Sequence, residues 1–455
     1  MKNFDIPIIY RSPLISAIKS RRKQQDKMKK DFTPTLLDLG NLQVYLARHF
    51  GFCYGVENAI EISFRTIEEN PGRPIFLLSE MIHNPQVNAD LQARGVRFLQ
   101  DTHGQQIIPF ESLQSDDIVI IPAFGTTLEI EEKLRRAGIH TERYNTTCPF
   151  VEKVWNRSAQ IAQKKYTIVV HGKPGHEETR ATFSHAAAET PTVVVRDMAE
   201  AQQLAEFITG ARPPESFYTI FNGQHSPGFD VKKDLTRIGV VNQTTMLASD
   251  TQAIADFLRQ TMIDTYGLTP ATTENHFADT RDTLCYATLD NQSAINGLLS
   301  IPADLAIIVG GYNSSNTSHL VELCEEKMPT YFISGEEKIL SAGEILHYNF
   351  HAKKEEKTTN WLPTRGPIAT PAANSPAPPA STPAEPAPGP IAAPAAGVFA
   401  EPAPIAQPAP AAPARILISS GASCPDALVE AVIRKLAGYY GAAESLDAMV
   451  AALEA

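Results

Sequence analysis

Cys53 in HFGFCYGV, Cys148 in NTTCPFVE and Cys285 in DTLCYATL are each followed at once by a helical pattern. Their separations are far too long for a metal finger, so a shared site would draw on three distant parts of the chain. Three thiolates around an iron–sulfur cubane leave one iron without a protein ligand, and that iron can bind substrate. A helix start offers free N–H groups and partial positive charge, which favour thiolate. Pro149 suits a first helical turn. Any one of these cysteines alone reads as a buried structural residue; three in the same local setting point to a metal centre. Cys324 lies mid-helix in SHLVELCEEK and reads as core, and Cys424 stays open between the two.

A second set of residues suits an anion. Ser314, Ser315 and Asn316 stand where the strand DLAIIVGG gives way to a helix, and Ser423 stands in the same way after RILIS. Hydroxyls, a carboxamide and free N–H groups can cradle a diphosphate, although each corner alone reads as an N-cap. His176 and Glu178 follow the strand YTIVVHG, with Glu177 between them, and pair an imidazole with a carboxylate for proton transfer. Thr244 and Thr245 end another strand, and His83 opens a helical segment. Neither nucleotide-loop pattern, GxGxxG nor GxxxxGK[ST], occurs.

The elements that must position these residues are strands and helices in alternation. LQVYLA, PIFLLS, DIVIIPAF, YTIVVHG, FYTIFN, GVVNQT, DLAIIVGG, TYFISG and RILISSG read as strands, with helical spacing between many of them. The fold class is α/β. Three small domains are expected over residues 43–147, 148–275, and 276–362 plus 414–441. Residues 1–42 read as a polar extension around the solvated basic helix KSRRKQQDKMKK. A transit peptide fits less well, because Asp5, Asp26 and Asp31 interrupt the positive charge. Residues 363–413 hold 16 of the chain's 34 prolines and read as a disordered Pro/Ala-rich insert. Residues 442–455 read as a tail.

The bulk numbers narrow the classes. With 455 residues, 43% of them hydrophobic, the chain can bury ordinary cores. A net charge of −11 opposes nucleic-acid binding. Five cysteines oppose a secreted disulfide framework and fit reduced thiols in the cytoplasm. No apolar run reaches the roughly eighteen residues of a membrane span.

GFCYGVENAI, IHNPQVN, NTTCPFVEKVW, HGKPGHEETRAT, NQTTML, CYATLDNQ, GGYNSSNTSHL and SGASCPD, in that order, resemble the 4-hydroxy-3-methylbut-2-enyl diphosphate reductase family. The resemblance covers roughly residues 44–362 and 415–440, and PAFG and NSSNTSHL look most like its plant and cyanobacterial branch. Members end the methylerythritol phosphate route to isoprenoids. The resemblance implies a trefoil of three α/β domains around one [4Fe–4S] cluster, held by Cys53, Cys148 and Cys285. It implies that His83, His176, Ser314, Asn316 and Ser423 contact the diphosphate, with Ser315 and Thr245 beside them. Glu178 falls on the proton-delivering glutamate, and Thr244 on the threonine that helps hold the substrate hydroxyl. The implied reaction is a two-electron reductive dehydroxylation to isopentenyl and dimethylallyl diphosphate, fed by a ferredoxin or flavodoxin. One departure is plain: Phe124 in PAFGTT stands where many bacterial members carry a histidine, with Thr126 or Thr127 as candidate replacements. Two rival readings remain, and an open cubane also suits the first of them. A non-redox hydro-lyase would need no electrons, and an iron–sulfur sensor or zinc site would need neither His176, Glu178 nor the anion corners.

Overall fold

The strand–helix alternation folds into three largely parallel sheets; Cys53, His176, Thr244, Ser314 and Ser423 follow the carboxyl ends of strands, whereas Cys148 comes after the short turn Glu142–Tyr144 and Cys285 after the helix Ala248–Tyr266 and the turn Thr273–Asn275. The computed structural model describes residues 4–278, 283–363 and 412–454. In one sheet Ile75–Leu77 lies between Arg97–Phe98 and Ile118–Ile120. In a second, Thr167–His171 lies between Thr192–Val195 and Ile238–Asn242. The third has five strands in the order Thr35–Asp38, Leu42–Leu46, Ala414–Ser420, Leu305–Val309 and Thr330–Ile333. Only its first pair is antiparallel. Thr167–His171, Ile238–Asn242 and Leu305–Val309 are buried at every residue, as strands covered by helices on both faces must be. No helix among the described residues is long and apolar enough to cross a membrane.

Several expectations change. Residues 4–42 do not form a solvated appendage. Ser12 caps the helix Pro13–Gln25 by accepting from the Ile15 N–H at 2.9 Å. Leu14, Ile15 and Ile18 of that helix are buried in one cluster with Leu436 of the helix Asp426–Tyr439 and Leu446 of the helix Ala443–Glu454. Lys19 flanks the apolar face and reaches Asp426 at 2.7 Å. Residues 442–455, read as a tail, thus supply part of this core. The boundary drawn at residue 43 falls within the strand Leu42–Leu46, which pairs with Ala414–Ser420 near the opposite end of the sequence.

FYTIFN is not a strand. Phe217–Ile220 is a helical turn that buries Phe217 and Phe221 against Phe207 and Phe229, so its four-residue spacing outweighed its aromatic β-propensity. The strand Thr192–Val195 and the antiparallel sheet of Ile339–Ser341, Glu344–Asn349 and Lys354–Thr359 were not foreseen. The latter is largely polar and exposed and carries little apolar alternation. Almost all of the Pro/Ala-rich insert lies outside the described residues.

Candidate active site

One cavity of about 650 Å³, counting its open mouth, lies where the three sheets converge. Its volume suits a small ligand. Cys53, Cys148 and Cys285 line it. So do His83, His176 and Glu178, the threonines Thr244 and Thr245, and Ser314, Ser315, Asn316 and Ser423.

Each cysteine is the N-cap residue of a helix: Tyr54–Glu69, Pro149–Gln163 and Tyr286–Leu298 respectively. The corners are packed tightly. A Cβ on Gly55 would lie 2.5 Å from the Cys148 sulfur, so only glycine fits there. Burial pushes each thiol up to about 12, and the proximity of a second cysteine adds to the rise in every case. Backbone N–H groups at the helix starts pull the other way and lose. The helix starts thus favour thiolate, as the sequence implied, but burial outweighs them. Crowded, buried sulfurs facing one cavity are the donor set of a soft metal or an iron–sulfur cluster. Thr288, unforeseen in the sequence, orients one of them. Its N–H donates to the Cys285 sulfur at 3.3 Å, and its hydroxyl lies 3.0 Å from the same atom. The three-residue spacing within CYAT was the available signal.

The same cavity offers donors. Asn316 Oδ1 accepts from the Ala422 N–H at 3.0 Å and from Asn291 Nδ2 at 3.3 Å, which fixes the amide and leaves Asn316 Nδ2 without a protein partner. Ser315 Oγ is likewise buried and unpartnered. Ser314 Oγ accepts from the N–H and the hydroxyl of Thr317, so its own hydrogen is free to donate. Gln243 donates to Thr245 Oγ1 at 2.7 Å and has the same effect on that hydroxyl. Ser423 differs: its hydroxyl donates to the His83 carbonyl at 3.1 Å.

His83, His176 and Glu177 bring three ligand atoms within 4.8 Å of one another, a spacing a cation could use. The hydrogen bonding argues otherwise. His176 Nδ1 accepts from the Glu178 N–H at 3.2 Å. Burial and the neighbouring His83 hold His176 well below its ordinary value, so the ring is neutral. Its single proton then sits on Nε2, a donor that lies 3.3 Å from His83 Nε2 on the cavity wall. Glu177 lies 3.3 Å from His83 Nε2 and accepts from Ser79 at 3.3 Å, so it sets the His83 ring.

Glu178 is buried, and burial pushes its carboxyl up to about 7 against the hydrogen bonds of Thr244. It is therefore part protonated near neutrality, as a general acid must be. Phe124 lines the cavity between the two histidines. Its loop turns at Gly125, whose φ is +74°; a Cβ there would lie 2.6 Å from Trp155. Thr127 caps the helix Leu128–Arg136, and the Thr126 carbonyl faces His185. Neither threonine lines the cavity, so neither replaces the histidine that Phe124 displaces. Cys324 and Cys424 are buried in the third sheet's core, away from this wall.

Fold and site together define an α/β protein whose cavity is lined by three sulfurs and by anion donors. The chain belongs to the LytB protein family, which it matches over residues 44–437. A relative from Gloeobacter violaceus named 4-hydroxy-3-methylbut-2-enyl diphosphate reductase is 38% identical over 352 residues, 74% of this chain and 82% of its own. One of the same name from a Synechococcus strain is 41% identical over 309 residues, 68% of this chain and 74% of its own. Among solved structures, a Plasmodium falciparum protein described as E-1-hydroxy-2-methyl-but-2-enyl-4-diphosphate reductase shares the fold. Its TM-score is 0.55 at 19% identity, over 87% of this chain and 89% of that one.

Proposed function

We propose that this protein reduces (E)-4-hydroxy-3-methylbut-2-enyl diphosphate to isopentenyl and dimethylallyl diphosphate, releasing the hydroxyl as water. The reaction takes up two electrons and two protons. The observation that carries the reading is the pairing of unpartnered donors, Asn316 Nδ2 and Ser315 Oγ, with three clustered thiols in one cavity. Cys53, Cys148 and Cys285 would hold one [4Fe–4S] cluster at the centre of a trefoil of the three α/β units. When bound, such a cluster supplies electrons one at a time and a Lewis-acidic iron for the departing oxygen.

The chain's own residues do the rest. His176 Nε2–H, His83, Ser314, Ser315 and Asn316 bind the diphosphate and so orient the allylic alcohol toward the sulfurs. Ser423 and Thr245 complete that wall. Glu178 delivers the proton that lets the hydroxyl leave as water. Thr244 holds the Glu178 carboxyl and meets the same oxygen. A small ferredoxin or flavodoxin-type protein would bring the electrons.

Anaerobic cluster reconstitution followed by assay with the hydroxylated diphosphate and a reduced viologen tests the reading. The expected result is two electrons consumed per product and no turnover without reductant. Water loss without electron uptake would identify a hydro-lyase instead, and a cluster without turnover would identify a sensor.

A further inference from the structure

Tyr286 touches the corners of both other cysteines. It follows Cys285 directly. Its hydroxyl accepts the N–H of Tyr54, the residue directly after Cys53, at 3.1 Å. Its ring tilts against Phe150, two residues after Cys148, with centroids 5.0 Å apart. One side chain thus joins three helix starts that are far apart in the chain. Phe4 packs edge-on against Tyr54 at 4.9 Å and extends the aromatic layer.

The layer lies on the outer side of the sulfurs. Tyr286 does not line the cavity and is 36% exposed, although the cysteine before it faces the cavity. The free N–H of a helix's first turn normally bonds water or a cap. Tyr54 gives its own to Tyr286, and Cys53 provides no side-chain cap hydrogen bond for that helix. The phenol therefore occupies a position that water would take, beside two of the three sulfurs.

We infer that Tyr286 is a positioning residue that clasps the three cysteine corners together and shields their outer face from water and oxygen. The inference rests on the cysteines holding an iron–sulfur cluster, as proposed above. Its hydroxyl registers the Cys285 helix on the Cys53 helix, and its ring covers the seam toward Cys148. Substrate approaches from the opposite, cavity side, so the clasp closes the face that substrate never covers.

The test compares the full chain with Tyr286→Phe and Tyr286→Ala, each reconstituted anaerobically to equal iron content. Decay of the visible iron–sulfur band is then followed after exposure to air. Tyr286→Ala is expected to lose the band on the order of tenfold faster than wild type, the usual scale for outer-shell partners of metal ligands. Tyr286→Phe keeps the ring and is expected to restore lifetime to within about threefold of wild type. An Ala variant with wild-type lifetime would overturn the inference; a Phe variant that decays as fast as Ala would support it and assign the clasp to the hydroxyl's bond with Tyr54. A wild-type chain that gains no visible band on reconstitution would overturn the cluster reading, and this inference with it.

Discussion

Phe124 lies flat against the His83 ring, with centroids 4.3 Å apart and planes inclined by 24°, and meets His176 edge-on at 5.6 Å. An apolar ring thus backs the two imidazoles that face the anion wall. Because Phe124 cannot donate a hydrogen bond, its contribution is to hold His83 in place. Aromatic stacking of this kind is worth about 1 kcal/mol, or roughly fivefold in binding. Phe124→Ala should raise KM by about that factor while kcat changes less. Phe124→His keeps a ring and adds a donor, so its KM should equal or fall below wild type. Steady-state kinetics under anaerobic conditions read both.

Glu178 receives the Thr244 backbone N–H on one carboxylate oxygen at 2.5 Å and the Thr244 hydroxyl on the other at 3.0 Å. Both bonds favour the charged form, whereas burial favours the neutral one and wins. The acid is needed protonated, so turnover should hold below about pH 7 and fall above it. Thr244→Val removes one donor to the carboxylate, raises its pKa further and moves the alkaline limb to higher pH. Glu178→Gln cannot deliver a proton; kcat should fall by about 10²- to 10⁴-fold, with KM little changed. A pH–rate profile of the three proteins distinguishes these outcomes.

Gly55→Ala separates folding from cluster binding. Residue 55 stands in the first helical turn and a methyl there displaces only the Cys148 side chain, so the apo protein should melt within a few degrees of wild type. The added Cβ, however, would lie 2.5 Å from the Cys148 sulfur and 3.1 Å from its Cβ. Cys148 must shift, and iron retention should weaken by on the order of tenfold or more. Iron content after gel filtration, beside a melting curve of the apo form, checks both halves.

Ser12→Ala tests whether the N-terminal helix is integral to the fold. The hydroxyl caps the Ile15 N–H and donates to the buried Glu430 carboxylate. Loss of the cap costs about 1 kcal/mol, and the bond to a charged group adds a similar amount. Arg434 still pairs with Glu430 at 2.7 Å, which limits the damage. A melting midpoint lowered by a few degrees is expected, with iron content unchanged.

The corners were legible because their signals are local. A cysteine or serine followed at once by helical spacing marks a helix start whatever the rest of the chain does. Cys53, Cys148, Cys285 and Ser314 could be placed at helix starts in this way. Thr288 and Asn291 were not singled out for the site, and Glu177 was singled out only beside His176, because each acts through a neighbour that the fold supplies. Asn291 matters because Asn316 lies across from it, and Glu177 because His83 does. The N-terminal helix misled because a composition rich in Lys and Arg hides three buried apolar residues on one face.

Residue type and spacing by themselves determined the alternation of strands and helices, the residues at their junctions, and the chemistry those residues could perform. Only the tertiary structure decided that Leu42–Leu46 pairs with Ala414–Ser420, that twelve junction residues share one cavity, and which proton His176 carries. The physical reason is range. Periodicity and capping act over a few residues, whereas sheet pairing, burial and the direction of a hydrogen bond depend on partners that the chain brings together only when it folds.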